Sequence, residues 1–160
     1  MRSSCESFWK NSQHCCGYEP QPPEINVPAD GEEYGLWKLE NLTMLSVFFC
    51  RCGVYDISFR NTSLRCSSFC WNDFIDVDFT DADLSLCDMR CSLFERVSFV
   101  RADLSKADLR SSNFDDCDFT DARMEGTKLT YDQGDQLPLS AAQRAVIVWR
   151  RTLGRTPLGG

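Results

Sequence analysis

Apolar residues recur at every fifth position through the middle of this chain. The series is unbroken over 19 positions, from Leu39 to Leu129. An α-helix repeats its buried stripe about every 3.6 residues and a β-strand about every 2 residues, so neither element produces this spacing. A period of five therefore predicts a repeat architecture in which each unit turns one large side chain inward.

Two further positions of each five-residue unit are restricted. The residue two before the apolar centre is small or β-branched, as at Val77 and Ala102, and the residue between them is often Asp or Asn, as at Asp78 and Asp103. We expect those carboxylates to bond nearby backbone N–H groups and stabilise turns. The centres that we predict to form the structural core are Phe59, Leu64, Phe69, Phe74, Phe79, Leu84, Phe94, Phe99, Leu104, Leu109, Phe114 and Phe119.

This pattern resembles the pentapeptide-repeat family, whose unit is a small residue, Asp or Asn, Leu or Phe, and two polar residues. It is clearest in residues 77–86 and 102–111, and the resemblance covers residues 37–131. The resemblance implies an all-β solenoid, a right-handed quadrilateral β-helix with one pentapeptide on each side. The 19 units then make about 4.75 coils at four units per coil.

Folding the repeats at four units per coil sorts the side chains by type. We number the four sides by a representative centre: Phe79 on face 1, Leu84 on face 2, Met89 on face 3 and Phe94 on face 4. Phenylalanine collects on the adjacent faces 4 and 1, and aliphatic residues collect on face 2. Such sorting favours this number of units, because like side chains then stack into continuous rows.

The two ends of a stacked column must be covered to prevent pairing with other chains. Residues 1–36 hold four prolines, which predicts an irregular N-terminal arm or cap. Residues 132–160 are expected to form a C-terminal capping helix and a tail. Ser140 and Gln143 read as a capping box, and Arg150 suits the negative end of the helix dipole. Val146 and Trp149 are expected to close the last coil.

Ten cysteines are many for a chain of 160 residues. No export signal or regular bridging spacing is present, so we expect reduced thiols and a cytoplasmic protein. Cys50 and Cys70 should lie close together as thiols, because they are equivalent positions one coil apart. Near the N-terminus, Cys5, His14, Cys15 and Cys16 match no common zinc spacing, and metal binding there is left open.

Composition argues against several classes of function. The formal net charge is −7, which disfavours a partner held by its phosphates, so no direct nucleic acid is expected. The single histidine leaves little for acid–base or nucleophilic catalysis, so we expect no enzyme. No glycine-rich phosphate loop is present, no cofactor or metal is predicted, and no apolar run is long enough to span a membrane.

Since inward positions are structural, function should use the outward ones. Apolar exceptions among these lie on face 4 and at its leading corner, surrounded by six acidic residues and only Arg96, a local charge of −5. An apolar anchor with a charged rim is typical of a protein interface. The alternative is that the N-terminal arm or a neighbouring loop covers Trp71 and Tyr55. The partner-binding residues that we predict are Tyr55, Asp56, Trp71, Asp73, Ile75, Asp76, Leu93, Glu95, Asp115 and Asp116.

The first functional hypothesis is an immunity protein, a non-catalytic inhibitor that neutralises a bacterial nuclease-type toxin. Small pentapeptide-repeat proteins of similar size and acidity are thought to accompany such toxins, and the acidic face would cover a basic nucleic-acid-binding surface.

The second hypothesis is a DNA mimic that protects or inhibits DNA gyrase or another topoisomerase, as the quinolone-protection members of the family do. A column about 23 Å tall would match only about seven base pairs. A scaffold or effector with another protein partner is the third. A homodimer is not predicted, although the sequence leaves it open.

Overall fold

The computed structural model describes residues 37–151, which form short parallel strands stacked at intervals of four repeat units. They belong to one compact unit of the chain, Gly35–Gly160. The N-terminal arm, with Cys5, His14, Cys15 and Cys16, lies outside the described residues. The strands are β1 (Trp37–Lys38), β2 (Gly53–Tyr55), β3 (Ile57–Ser58), β4 (Asp73–Ile75), β5 (Leu93–Glu95), β6 (Asn113–Asp115), β7 (Lys128–Thr130) and β8 (Val148–Arg150), and the helices are α1 (Tyr131–Gln136) and α2 (Ala141–Val146).

Face 4 carries the most regular sheet, a four-stranded parallel arrangement in the order β2-β4-β5-β6. Its central register joins Phe74 to Phe94 and Phe94 to Phe114. Elsewhere pairing is reduced to two-stranded pieces and isolated bridges, such as Asp83 with Asp103, which again stand one coil apart. The common interval means that each coil lies directly on the next, at the ordinary spacing of strands.

The core is filled by rows of stacked side chains. On face 1, ring centroids lie 5.2, 5.5 and 4.9 Å apart along the row from Phe59 to Phe119. On face 4, the Phe94 centroid lies 5.0 Å from that of Phe74 and 5.1 Å from that of Phe114. Neighbouring rows meet edge to face, as Phe94 does with Phe99 at 64°. Both arrangements are favourable for aromatic rings.

Eleven of the twelve predicted core residues are buried, and Phe114 is the exception. Its ring is partly exposed, whereas Phe74 and Phe94 above it are sealed. The reason is the change of structure one coil later. Residue 134, which would cover Phe114 if the repeat continued, lies in helix α1 instead of in a strand.

The Asp position stabilises turns, as expected from the sequence. The Oδ1 atom of Asp83 accepts from the N–H of Ser85 at 3.0 Å, and that of Asp118 accepts from the N–H of Thr120 at 2.8 Å. The corner that follows adopts a left-handed backbone conformation. Seventeen non-glycine residues at intervals of five have positive φ, including Trp71 at 61° and Leu86 at 62°. Such residues ordinarily avoid this region.

The inward small position also carries hydrogen bonds. At the corner leading into face 4, Asn72, Ser92 and Ser112 are buried one above another. The side chain of Ser92 accepts from the N–H of Asn72, and that of Ser112 accepts from the N–H of Ser92, both at 3.1 Å. The same side chains donate to carbonyls of the preceding coil: Asn72 to Phe49 at 2.8 Å, Ser92 to Phe69 at 2.9 Å and Ser112 to Met89 at 2.8 Å.

The C-terminal end differs from the single capping helix predicted from the sequence. Helix α2 has the predicted capping box, but it ends at Val146, whose side chain is 42% exposed. Trp149 lies in strand β8 and pairs with Leu129, and Arg150 follows it in the strand instead of ending a helix. The cause is the register, because residues 148–150 stand one coil after β7 and resume the parallel pairing.

Two glutamines attach the helices to the last coil. Gln133 is the third residue of α1 and Gln143 the third residue of α2, each within its own capping box. Gln133 Nε2 donates to the carbonyls of Leu109 and Ser112 at 2.8 and 2.7 Å. The helices therefore satisfy carbonyls that would otherwise pair with a further coil. No helix among the described residues is long and apolar enough to cross a membrane.

Candidate protein-interaction face

Face 4 presents two outward rows, because side chains alternate between the two sides of a strand. Between them runs the buried row that begins with Val54 and Phe74. The parallel register sets the order of the outward residues in each row. The first row is Gly53, Asp73, Leu93 and Asn113, and the second is Tyr55, Ile75, Glu95 and Asp115. The predicted residues Tyr55 and Ile75 are therefore direct neighbours, while Leu93 lies across the face.

Tyr55 depends on a glycine that the sequence analysis passed over. Its side chain is 51% exposed, and its ring lies over Gly53, where a Cβ atom would collide with it. The other strands carry Asp73, Leu93 and Asn113 at this point. The sequence could have pointed to Gly53, because it is one of only two glycines in residues 37–131. The missing side chain leaves room for the Tyr55 ring over Gly53.

Trp71 stands at the corner that leads into face 4. Its left-handed backbone, with φ of 61°, directs the chain around the corner, and its side chain is 60% exposed. Cys91 occupies the equivalent corner of the next coil, since a left-handed corner recurs in this row once per coil. Trp71 is the most exposed large apolar side chain among the described residues. No loop within residues 37–151 therefore covers it.

Arg96 organises the acidic groups at the far side of the face. Its Nε and Nη2 atoms donate to the two carboxylate oxygens of Asp76 at 2.6 and 2.7 Å, and Nη1 donates to Glu95. The hydrogen bond from Arg96 holds the pKa of Asp76 below its ordinary value, and the same contacts raise the pKa of Arg96. Two of the six predicted acidic residues, Asp76 and Glu95, therefore already form ion pairs with Arg96.

The other four acidic residues, Asp56, Asp73, Asp115 and Asp116, are exposed and have no ion pair within residues 37–151. On the remaining faces, five of the described carboxylates pair with an arginine. These pairs are Arg60 with Asp78, Arg90 with Asp88, Arg101 with Asp81, Arg110 with Asp108 and Arg123 with Asp103. Face 4 therefore combines its exposed aromatic residues with four carboxylates that have no ion pair in residues 37–151.

The cysteines form no comparable cluster. Cys50, Cys66, Cys70, Cys87, Cys91 and Cys117 are free thiols, and no group of three or more potential metal ligands occurs among residues 37–151. Cys50 Sγ and Cys70 Sγ lie 2.8 Å apart, which fits their predicted proximity as thiols. Burial is the main cause that raises the pKa of Cys50, to about 12.

Parallel strands stacked coil on coil, an inward side chain at every fifth residue and left-handed corners define a β-helical repeat protein. The sequence pattern of the pentapeptide repeats matches the chain in eight copies, over residues 55–90 and 92–130. The chain belongs to the pentapeptide-repeat family.

Solved structures of the same family resemble it. HetL, a pentapeptide repeat protein involved in heterocyst differentiation regulation from the cyanobacterium Nostoc sp. strain PCC 7120, matches with a TM-score of 0.52 and 16% identity over 58% of this chain. The match spans 47% of HetL, about half its length. This likeness supports the right-handed β-helix and concerns the fold alone.

Two further structures are more distant. A pentapeptide repeat protein from the Arabidopsis thaliana thylakoid lumen has a TM-score of 0.35 and 22% identity, covering 66% of this chain and 73% of its own. Full-length QnrB1, a plasmid-mediated fluoroquinolone resistance protein, has a TM-score of 0.25 and 15% identity, covering 59% and 60%. No curated protein matches the sequence.

Proposed function

We propose that this protein is a non-catalytic inhibitor that binds another protein through face 4. In the finer form of the proposal it is an immunity protein, and its partner is a bacterial nuclease-type toxin. The interface comprises Trp71, Tyr55 and Ile75 at its centre, with the acidic residues around them. The inhibitor acts by covering the basic surface with which the toxin holds nucleic acid.

The observation that carries this proposal is the coincidence of two features on one face. Trp71 and Tyr55 each expose more than half of the side chain. Tyr55 pairs with Ile75 in the sheet, and Trp71 stands at the corner that precedes the strand of Ile75. The same face holds the four carboxylates without an ion pair in residues 37–151, including Asp73 and Asp115. Aromatic anchors supply most of the energy of typical interfaces, and unmatched charge speeds encounter with a partner of opposite sign.

Charge distribution also separates this proposal from the DNA mimic. A mimic presents a continuous series of negative groups that replaces the phosphates of a duplex. On the other faces such series are interrupted by arginines, as at Asp78 with Arg60 and Asp108 with Arg110. Face 4 keeps four of its acidic residues available, and there an aromatic centre accompanies them. This combination favours a compact protein contact over an extended duplex-like one.

The proposal is tested with purified protein immobilised on a resin and a lysate of the native organism. Captured proteins are identified by mass spectrometry, expressed alone and titrated against the wild type. We expect a basic nuclease whose activity is abolished at a 1:1 ratio, and an affinity that falls as salt rises. Partners without nuclease activity would remove the toxin from the proposal.

The location of the interface is tested with a double variant, Trp71→Ala with Ile75→Asp. Loss of both anchors is expected to weaken binding of the captured partner at least about 100-fold. Leu86→Ala is the matched control, since Leu86 is an exposed apolar residue at a left-handed corner outside face 4. Unchanged binding by the double variant, with both variants folded, would place the interface elsewhere. Inhibition of DNA gyrase in a supercoiling assay would instead support the mimic.

A further inference from the structure

Strand β6 is an unpaired edge at the C-terminal end of face 4. It pairs with β5 alone, through Asn113 and Asp115. In a parallel pair, alternate residues direct their N–H and C=O groups to opposite sides, so those of Phe114 point away from β5. They have no hydrogen-bond partner within residues 37–151. In a buried sheet, backbone N–H and C=O groups are almost always hydrogen-bonded.

The corner after β6 shows the same interruption. In the preceding coils the N–H of this corner donates to the next strand, from Asp76 to Glu95 at 3.0 Å and from Arg96 to Asp115 at 2.9 Å. The corresponding N–H of Asp116 has no such acceptor in the described part of the chain. Three backbone groups, the N–H and C=O of Phe114 and the N–H of Asp116, therefore lie in line along one edge.

Helix α1 stops the sheet without covering this edge. Gln133 occupies the ladder position after Ser112 and caps its carbonyl with a side-chain amide. From there the chain turns as a helix, and a cavity of about 220 Å³ remains between β6 and α1. Its lining includes Asn113, Phe114, Gln133 and Leu137. Phe114 is partly exposed where it lines this cavity.

The volume of this cavity, which is open to solvent on one side, is sufficient for one aromatic side chain. A cavity of about 150 Å³ accommodates a benzene ring, so about 220 Å³ is sufficient for a phenyl group. Centroid separations of 5.0 and 5.1 Å along the face-4 row give the spacing at which another ring would continue the stack on Phe114. The open backbone groups and the cavity thus stand where a further strand would place its hydrogen bonds and its central side chain.

We propose that β6 binds an extended segment of a partner protein as an added parallel strand. The segment inserts an aromatic side chain against Phe114 and presents lysine or arginine on the outward side. The charge follows from the surroundings, since Asp115, Asp116, Asp132 and Asp135 are all exposed near this end of face 4. Main-chain hydrogen bonds supply affinity in strand addition, and the pocket supplies specificity.

A synthetic peptide, acetyl-Phe-Lys-Lys-amide, serves as the probe because it follows the register of a further coil from the position after Gln133. Its acetyl carbonyl can accept from the N–H of Phe114. The peptide is titrated into the full-length protein labelled with ¹⁵N. We expect downfield shifts of the amide protons of Phe114 and Asp116, and at least about tenfold slower hydrogen exchange at saturation. Shifts confined to other regions would overturn the proposal.

Two modified peptides separate strand pairing from simple charge attraction. N-methylation at the lysine that follows the phenylalanine removes the main-chain donor to the carbonyl of Phe114, and replacement of the phenylalanine by serine removes the ring. Both changes are expected to abolish binding, whereas equal binding by either would refute the proposed mode. In the protein, Asp115→Asn with Asp116→Asn should weaken binding of the original peptide at least about threefold and reduce its salt dependence.

This site does not depend on the aromatic anchors of face 4. The Trp71→Ala with Ile75→Asp variant should bind the peptide as the wild type does, so the two proposals can fail separately. Sedimentation of the free protein addresses a second copy as the occupant. A dimer that dissociates when the peptide binds would show that β6 pairs with a second copy of this chain. That result would overturn the proposal that β6 binds a segment of a partner protein.

Discussion

Gln133 and Gln143 make equivalent contacts on two faces of the last coil. Gln133 Nε2 donates to the carbonyls of Leu109 and Ser112, and Gln143 Nε2 donates to those of Phe119 and Ala122 at 2.8 and 3.1 Å. Each glutamine also accepts from the N-cap residue of its helix. The spacing of the two glutamines equals two repeat units, or two faces of the column, so both helices follow the geometry of the repeats.

The two glutamines should differ in their response to a negative charge. Gln133→Glu replaces a buried donor by a carboxylate that faces two carbonyl oxygens, and we expect a loss of at least about 3 kcal/mol of unfolding free energy at pH 7. Gln143→Glu is the control, because Gln143 is only partly buried, and its loss should be about half as large. Urea unfolding measures both. Equal losses would contradict the greater burial assigned to Gln133.

The aromatic rows predict a gradient of stability along face 4. Phe94 is fully buried between two rings, so Phe94→Ala should cost about 3–5 kcal/mol. Phe114→Ala should cost roughly half of that, because one side of its ring already faces the cavity. Chemical unfolding of the two variants tests the order. A larger loss at Phe114 would mean that the end of the row is sealed.

The left-handed corners predict a stabilising substitution. Leu86 has φ of 62° and an exposed side chain, so little packing opposes its replacement. Leu86→Asn should raise the unfolding free energy by about 0.5–1 kcal/mol, since asparagine tolerates this conformation better than leucine. Leu86→Val should lower it by a similar amount, because a β-branched side chain tolerates it worst. Urea unfolding should give changes in unfolding free energy of opposite sign for the two variants. Changes of the same sign would contradict this explanation.

The turn carboxylates predict a pH effect at Asp118. The hydroxyl and N–H of Thr120 donate to Asp118 and hold its pKa below the ordinary 3.8. A lowered folded pKa means that this contribution to stability is present above pH 3.8 and is lost as the pH falls through the folded value. In Thr120→Val the pKa, followed by NMR, should rise towards 3.8, whereas Thr120→Ser should keep it low. No change in Thr120→Val would exclude the hydroxyl as the cause.

The cysteines should react in order of exposure and thiolate content. Burial raises the pKa of Cys87 to about 12 and that of Cys117 to about 11, whereas Cys66 is exposed. At pH 8 iodoacetamide should therefore modify Cys66 first among the cysteines of residues 37–151 and Cys87 only on unfolding, because the thiolate is the reactive form. Peptide mapping by mass spectrometry gives the order. Early modification of Cys87 in folded protein would show that its coil opens locally.

Several features of the fold could be predicted from the sequence, because each depends on one residue type at one position of the repeat. The five-residue period identified the inward centres, such as Phe79 and Leu104, which are buried. The aspartate before each centre was correctly assigned to turns, as at Asp83. Face 4 could also be assembled on paper, because equivalent residues such as Tyr55 and Ile75 are separated by the length of one coil.

Features that join distant residues were missed or misplaced. Trp149 was assigned to a helix because residues 141–151 have helical composition, but pairing with Leu129 draws it into a strand. Helix α1 was not predicted, although Thr130 and Gln133 repeat the capping-box spacing of Ser140 and Gln143. The ion pairs of Arg96 were invisible too, since charge alone does not select its partners among several nearby carboxylates.

The sequence by itself determined the repeat, its inward side chains and the acidic, aromatic character of face 4, because a fixed interval of five makes the environment of each side chain a local property. Tertiary structure alone decided where the repeat ends and which groups stay open there. Those outcomes depend on whether a backbone donor such as the N–H of Phe114 meets an acceptor from the segment that follows one coil later. Whether the following segment forms a strand or a helix decides this, and that choice cannot be read from any single repeat unit.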